Sequence, residues 1–348
     1  SSTFYLFILD ATASTFILDV LSFYPRHIYL LYLFLSILSS KTYAKTKQAG
    51  INPVAWKLRK GYIKAWPQTL PMIPGWDVAG TIVQVGDSVT DLLVGDEVYS
   101  YNRPAFDMKE QHPESANEQM EMNGNCCEYV TAESWKVAKK PTSLSMAQAG
   151  AVPLAALTAF QGCFDYGALT AGQTLLVLNA SGGVGSFAVG FAKNHGITVI
   201  GSCSSRSSDY VTSLGADHII DYTLDASISE QAASIVSTIG KPIDVVFDCI
   251  GGDNTAQGVI AVKDGGKVVT IANGGAVTDL CAAKENGSAT GIGYLVQPNK
   301  EQLTEIAGLI DGGKMPATKV TEMALDDIVA AHQASETGRT HGKIVLIV

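Results

Sequence analysis

Residues 174–193, TLLVLNASGGVGSFAVGFAK, constrain this chain more tightly than any other segment. An apolar run from Leu175 to Leu178 enters a small-residue turn, Ala180-Ser181-Gly182-Gly183-Val184-Gly185. Val184, Phe187, Ala188, Phe191 and Ala192 then recur at the spacing that lays a helix onto a sheet. Strand, glycine turn and helix in that order are the setting in which such a motif binds a dinucleotide. Gly182 lets the backbone approach a pyrophosphate, Gly185 lets helix and strand pack closely, and the helix N-terminus attracts the anion. Ala180 stands where the first glycine of the motif would be. A glycine-rich turn with no ligand is the plainer alternative, and the context argues against it.

The next strand, within ITVIGSCSSRSSDY, ends in Ser202, Cys203, Ser204, Ser205 and Arg206. A site for NAD places Asp or Glu there, about twenty residues past the turn, to accept the ribose 2′-hydroxyl. This strand end has no carboxylate. It offers three hydroxyls and a guanidinium, which suit a 2′-phosphate by fork geometry and permanent charge. The expectation is NADPH over NADH, against the plainer reading of Arg206 as a solvated first-turn residue. Tyr222, in IIDYT after the third strand, is placed against the adenine or else in ordinary packing.

At 348 residues the chain is long enough for two domains with a core in each. Its 24 basic and 33 acidic residues give a net charge of −9 with no basic block, which argues against a nucleic-acid partner. Cys126, Cys127, Cys163, Cys203, Cys249 and Cys281 are scattered with no CxxC, the pattern of reduced thiols in a cytoplasmic protein. The adjacent Cys126 and Cys127 read as ordinary half-buried thiols rather than a redox pair, and the histidines show no metal spacing.

Residues 142–288 alternate strand and helix, with strands at 174–179, 197–202, 218–220, 243–248 and 267–272 and helices at 183–194 and 227–239. This predicts an α/β fold built on a doubly wound parallel Rossmann sheet. The loops Cys249-Ile250-Gly251-Gly252 and Asn273-Gly274-Gly275, with Ile271 just before the second, fall at carboxyl ends of strands, where ligands bind. Residues 49–140 carry short strand-like runs broken by Gly, Pro and Asp, the mark of an irregular antiparallel β domain. Helices near 299–312 and 325–336 and the final strand GKIVLIV return to it. The expected division is 1–141 with 289–348 in one domain and 142–288 in the other. Residues 1–46 read as diverged strands of the first domain, or as an internal signal-like segment. Their uncharged run IYLLYLFLSILSS has 13 residues, short of the roughly 18–20 that cross a bilayer, so no stable membrane insertion is expected.

The segments AGINPVAWKLRKGY, LPMIPGWDVAGTIVQVG, VGDEVY, AVPLAALTAFQ, ASGGVGSFAVGFAK, SLGADHIIDYT, VFDCIGG and HGKIVLIV, in this order, resemble the medium-chain dehydrogenase/reductases. Within that superfamily the chain is similar to the zinc-free quinone oxidoreductases of the zeta-crystallin type and to the alkenal/enone reductases. The resemblance implies a GroES-like catalytic domain beside the Rossmann domain. A catalytic zinc in this superfamily needs a Cys in the segment aligning with Gly50-Ile51-Asn52 and a His-Glu pair after the glycine of PGWD. This chain has Asn52, Trp76 and Asp77 there, so no metal site is expected. Hydride delivery to a quinone, or to the β-carbon of an α,β-unsaturated carbonyl, needs no such Lewis acid.

The resemblance further implies that Asn52, Tyr62 and Tyr99 line the substrate side of the nicotinamide. It places Thr158 at the nicotinamide ribose or its phosphate, Tyr294 over the nicotinamide, and Lys343 near the cofactor. A tyrosine hydroxyl or water would protonate the enolate. Ala55 replaces an acidic residue common in relatives. A homodimer formed through an edge strand of the cofactor domain is implied as well. The competing reading is a non-catalytic NADPH-binding protein, in which Trp56 or Trp76 fills the substrate pocket.

Overall fold

The computed structural model describes residues 40–63, 72–108, 110–112, 124–272, 274–285, 287–315, 319–338, 340 and 342–348. The apolar run of the N-terminal segment, much of the loop expected at 102–125, and Asn273 lie outside the described residues. Strands β1 (Lys41–Ile51), β2 (Asp77–Val85), β3 (Glu97–Tyr101), β4 (Tyr129–Glu133) and β5 (Val137–Lys139) open the chain, with helix α1 (Pro53–Arg59) after β1. Helices α2 (Met146–Gly150) and α3 (Pro153–Phe160) lead onward. An alternating stretch follows: β6 (Thr174–Leu178), α4 (Gly183–Asn194), β7 (Thr198–Cys203), α5 (Ser208–Ser213), β8 (His218–Asp221), α6 (Ile228–Ile239), β9 (Val245–Asp248), α7 (Asp253–Ala261), β10 (Gly266–Thr270), α8 (Gly274–Ala282) and β11 (Ala289–Gly293). The return consists of α9 (Lys300–Asp311), β12 (Val320–Ala324), α10 (Ile328–Glu336) and β13 (Lys343–Ile347).

The alternating stretch forms a six-stranded sheet, ordered β11-β10-β9-β6-β7-β8, with every pair parallel. Each residue of β6 is buried, as a strand covered on both faces requires. Leu175 and Val177 join the cluster of Phe187 and Phe191 from α4, while Leu176 and Leu178 join Ile228 and Val259 on the other face. Strand order reverses between β6 and β9, so their carboxyl ends flank the crevice where such sheets bind ligands.

The remaining strands form a seven-stranded mixed sheet, ordered β12-β13-β1-β2-β3-β5, with β4 paired to β1. Register shifts at Tyr43/Ala44 and Thr46/Gln48 bend β1, which pairs with β4 over Lys41–Lys45 and with β13 over Gln48–Ile51. Residues 41–46, read above within a segment of diverged strands or of signal-like character, are the first half of a central strand. The boundary expected at residue 288 falls one strand early: β11 pairs with β10, so the parallel sheet runs to Gly293. Its sequence, ATGIG, has no apolar run to announce a strand. All six cysteines are unpaired.

Candidate cofactor and substrate crevice

The turn after β6 is shaped by residues that tolerate close backbone approach. Asn179 takes a left-handed φ of 65°, which asparagine adopts more readily than most residues. The Ala180 amide donates to the Ser202 carbonyl at 2.9 Å and pins the turn to β7. A Cβ on Gly185 would overlap the Asn179 carbonyl oxygen and stand 2.9 Å from Ala180 Cα; only glycine lets α4 start this close to the strand. A Cβ on Gly183 would meet nothing but the Lys343 side chain, 3.1 Å away. Ser181, Gly182, Gly183 and Val184 are half-buried and Ala180 is buried. No side chain caps the 12-residue α4 and no acid sits in its first turn. Its amides and positive dipole end are therefore available to an anion, and the cradle fits a pyrophosphate.

Across the crevice, buried Asp248 at the end of β9 organises the next loop. Its Oδ1 accepts the Ile250 and Gly251 amides at 3.0 and 2.9 Å, and its Oδ2 accepts the Thr255 and Thr270 hydroxyls at 2.6 and 3.0 Å. One carboxylate thus ties β9 to α7 and β10. The loop it holds presents half-buried Cys249 and exposed Ile250, with half-buried Ile271 alongside. Burial, then the Asp248 charge, pushes the Cys249 thiol well above its ordinary range. Sequence reasoning passed over Asp248; an acid ending an apolar strand just before Gly-Gly was the available signal.

At the far rim, Ser202 and Ser204 are buried, Ser205 and Arg206 are exposed, and Tyr222 is 53% exposed. The expectation that no carboxylate stands here needs correction. Strand β8 lies beside β7 with Asp221 opposite Cys203, and the Ser205 hydroxyl donates to the Asp221 carboxylate.

On the opposite wall, β13 brings Lys343 to Asn52 and Asp77, all three buried. The Asn52 amide donates to Asp77 Oδ2 at 2.8 Å, and the Leu154 amide donates to Oδ1 at 2.7 Å. Lys343 Nζ donates to Asn52 Oδ1 and to the Ile51 carbonyl at 3.3 Å, and lies 3.8 Å from Asp77 Oδ2. Burial pushes the Asp77 carboxyl up and the Lys343 ammonium down, each opposed by the partner's charge. The Lys343 stem runs close to Gly183, 3.1 Å from where a Cβ on that glycine would stand, so the two walls approach each other there.

The tyrosines divide. Tyr99 is fully buried, its hydroxyl donates to the Leu303 carbonyl at 2.5 Å, and burial pushes its pKa far up. Its place is the core beneath the crevice, not the substrate side. Tyr62 is 66% exposed and meets the Trp56 ring edge-on at 6.1 Å. Tyr294 stacks on Tyr166 at 4.3 Å and donates to the Thr158 carbonyl, with its pKa raised by burial. The Thr158 hydroxyl donates to the Leu154 carbonyl at 2.6 Å, so it is committed to its own helix rather than turned to a ribose.

Comparison with known proteins places this architecture. Residues 40–142 match the alcohol dehydrogenase GroES-like domain, and residues 214–346 match the zinc-binding dehydrogenase family. The chain is 35% identical to 2-methylene-furan-3-one reductase of Solanum lycopersicum, across 87% of this chain and 70% of that protein. It is equally 35% identical to the chloroplastic NADPH-dependent alkenal/one oxidoreductase of Arabidopsis thaliana, again across 87% and 70%. The quinone oxidoreductase from Coxiella burnetii superposes with a TM-score of 0.70 at 28% identity, covering 89% of this chain and 91% of that one. This chain belongs to the medium-chain dehydrogenase/reductase superfamily.

In this medium-chain dehydrogenase/reductase the positions matched to zinc ligands do not fit the metal. Asn52 is bonded through both ends of its amide, and buried Trp76 packs edge-on to Tyr101 at 6.3 Å. Neither offers a Zn²⁺ donor, and among the described residues no three His, Cys, Asp or Glu cluster for a metal. No helix among the described residues is long and apolar enough to cross a membrane.

Proposed function

We propose that this oxidoreductase is an NADPH-dependent reductase of α,β-unsaturated carbonyl compounds, with quinones as the related acceptor class. The observation that carries the reading is the closed Asn52–Asp77–Lys343 network set against Gly183. It joins the phosphate cradle to a substrate wall whose polar groups are an amide and an ammonium instead of metal ligands. The names of the tomato and Arabidopsis relatives describe this class of chemistry, and the second names the cofactor.

When bound, the nicotinamide supplies the hydride. The turn Ser181–Val184 and the α4 N-terminus would hold the pyrophosphate, with the Lys343 stem alongside and its ammonium directed to Asn52 and Asp77. Ile250 and Ile271 form the apolar wall that Asp248 fixes in place. Asn52 and Lys343 position the substrate lobe against the cradle, since the Asn52 amide does not titrate near neutral pH and Lys343 is bonded to Ile51 and Asn52 beside Asp77. With the Tyr99 and Tyr294 hydroxyls held by carbonyls, an enolate formed in the crevice would take its proton from water. Strand β11, at the edge of the parallel sheet among the described residues, is the surface we assign to pairing of two copies, for which gel filtration is the check.

The test is NADPH oxidation by chelator-treated protein, with a 2-alkenal and a 1,4-quinone in parallel and NADH as the control. Turnover faster with the alkenal than with the quinone is expected. Tight NADPH binding without turnover of either acceptor defeats the reading and leaves a binding protein.

A further inference from the structure

We infer that Asp221 limits how strongly this site selects for a ribose 2′-phosphate, acting against Arg206; the inference rests on the NADPH reading above. The end of β7 is where a Rossmann sheet reads the adenosine ribose. Here that end is not made by β7 alone, since Asp221 closes the neighbouring strand directly opposite Cys203. Its Oδ1 accepts the Thr223 amide at 2.9 Å and the Thr223 hydroxyl at 2.6 Å, while its Oδ2 accepts the Ser205 hydroxyl. Ser205 Oγ and Thr223 Oγ1 also stand 3.0 Å apart.

Two consequences follow from these bonds. First, the Ser205 and Thr223 hydroxyls both lie within hydrogen-bond reach of Asp221, so an arriving phosphate competes with that carboxylate for their protons. Second, the donors keep the carboxylate ionised: the Ser205 hydroxyl first, then Thr223, hold its pKa below the ordinary range. Arg206, by contrast, is exposed and has no hydrogen bond or ion pair among the described residues. A dianionic 2′-phosphate therefore meets one uncommitted cation and one fixed anion on adjacent strand ends. The 2′-hydroxyl of NADH carries no charge for either to act on, so the opposition is felt by NADPH alone.

The test measures dissociation constants for NADPH and NADH by nucleotide fluorescence, at low and high salt, in wild type, Asp221→Asn and Arg206→Gln. Asp221→Asn is expected to tighten NADPH about fivefold at low salt, as loss of one exposed like charge predicts, and to leave NADH within twofold. The gain should shrink at high salt. Arg206→Gln should weaken NADPH about tenfold with little change for NADH. An unchanged NADPH-to-NADH ratio in Asp221→Asn, or a selective loss of NADPH, overturns the inference; the second result would make Asp221 an organiser of phosphate donors. Wild-type protein that binds neither nucleotide overturns the NADPH reading itself, and the inference with it.

Discussion

The two walls of the crevice are built in opposite ways. On the parallel sheet the phosphate cradle comes from one continuous segment, and what makes it work is absence: no Cβ on Gly185, none on Gly183, no capping side chain on α4. On the mixed sheet the wall is made by side chains drawn together from far apart, with Asn52 and Lys343 separated by 291 positions. A wall made by backbone is specified locally and fails locally. A wall made by buried charge depends on every partner arriving.

That contrast is broken most severely by stranding a charge. Lys343→Met should cost about 3–5 kcal/mol in urea unfolding, because it leaves the Asp77 carboxylate buried and unpaired. Lys343→Met with Asp77→Asn should recover much of the loss, and a double-mutant cycle reads the coupling. On the other wall, Gly185→Ala should cost about 2–3 kcal/mol by overpacking against Asn179 and Ala180, with NADPH affinity falling alongside thermal stability. Equal losses from the two variants would blur the distinction between the walls. The smallest effects sharpen it at the tyrosines. Tyr99→Phe should lower stability by about 1–2 kcal/mol through its lost bond to Leu303 and leave the rate with a 2-alkenal unaltered. Tyr62→Phe should leave kcat within about threefold, well short of the 10²–10⁴ that loss of a general acid costs. A hundredfold fall would make Tyr62 the proton donor.

How much of this was legible in the chain follows the same division. The cradle could be read from TLLVLNASGGVG because strand, turn and helix lie in one stretch and each glycine answers a local need. The positions of the parallel strands along the chain followed from their apolar runs, except β11, whose Ala, Thr and glycines carry no such signal and whose place is set by pairing with β10. Tyr99 was misplaced because motif position says nothing about which way a side chain turns; both Tyr99 and Tyr101 face the core cluster. Asp221 was missed at the adenosine rim for a related reason. The end of β7 was read as a sequence, whereas the rim is a row of strand ends, and the neighbour that completes it belongs to β8.

Asp248 leaves one more consequence. Its four acceptor bonds fix the loop after β9 to two adjacent elements. That side of the crevice is thus held by the protein's own bonds, and a nucleotide arriving there has little chain to immobilise. Association should then run close to the pace of diffusional encounter with a preformed groove, and differences in affinity among nucleotides should show up in how long each one stays.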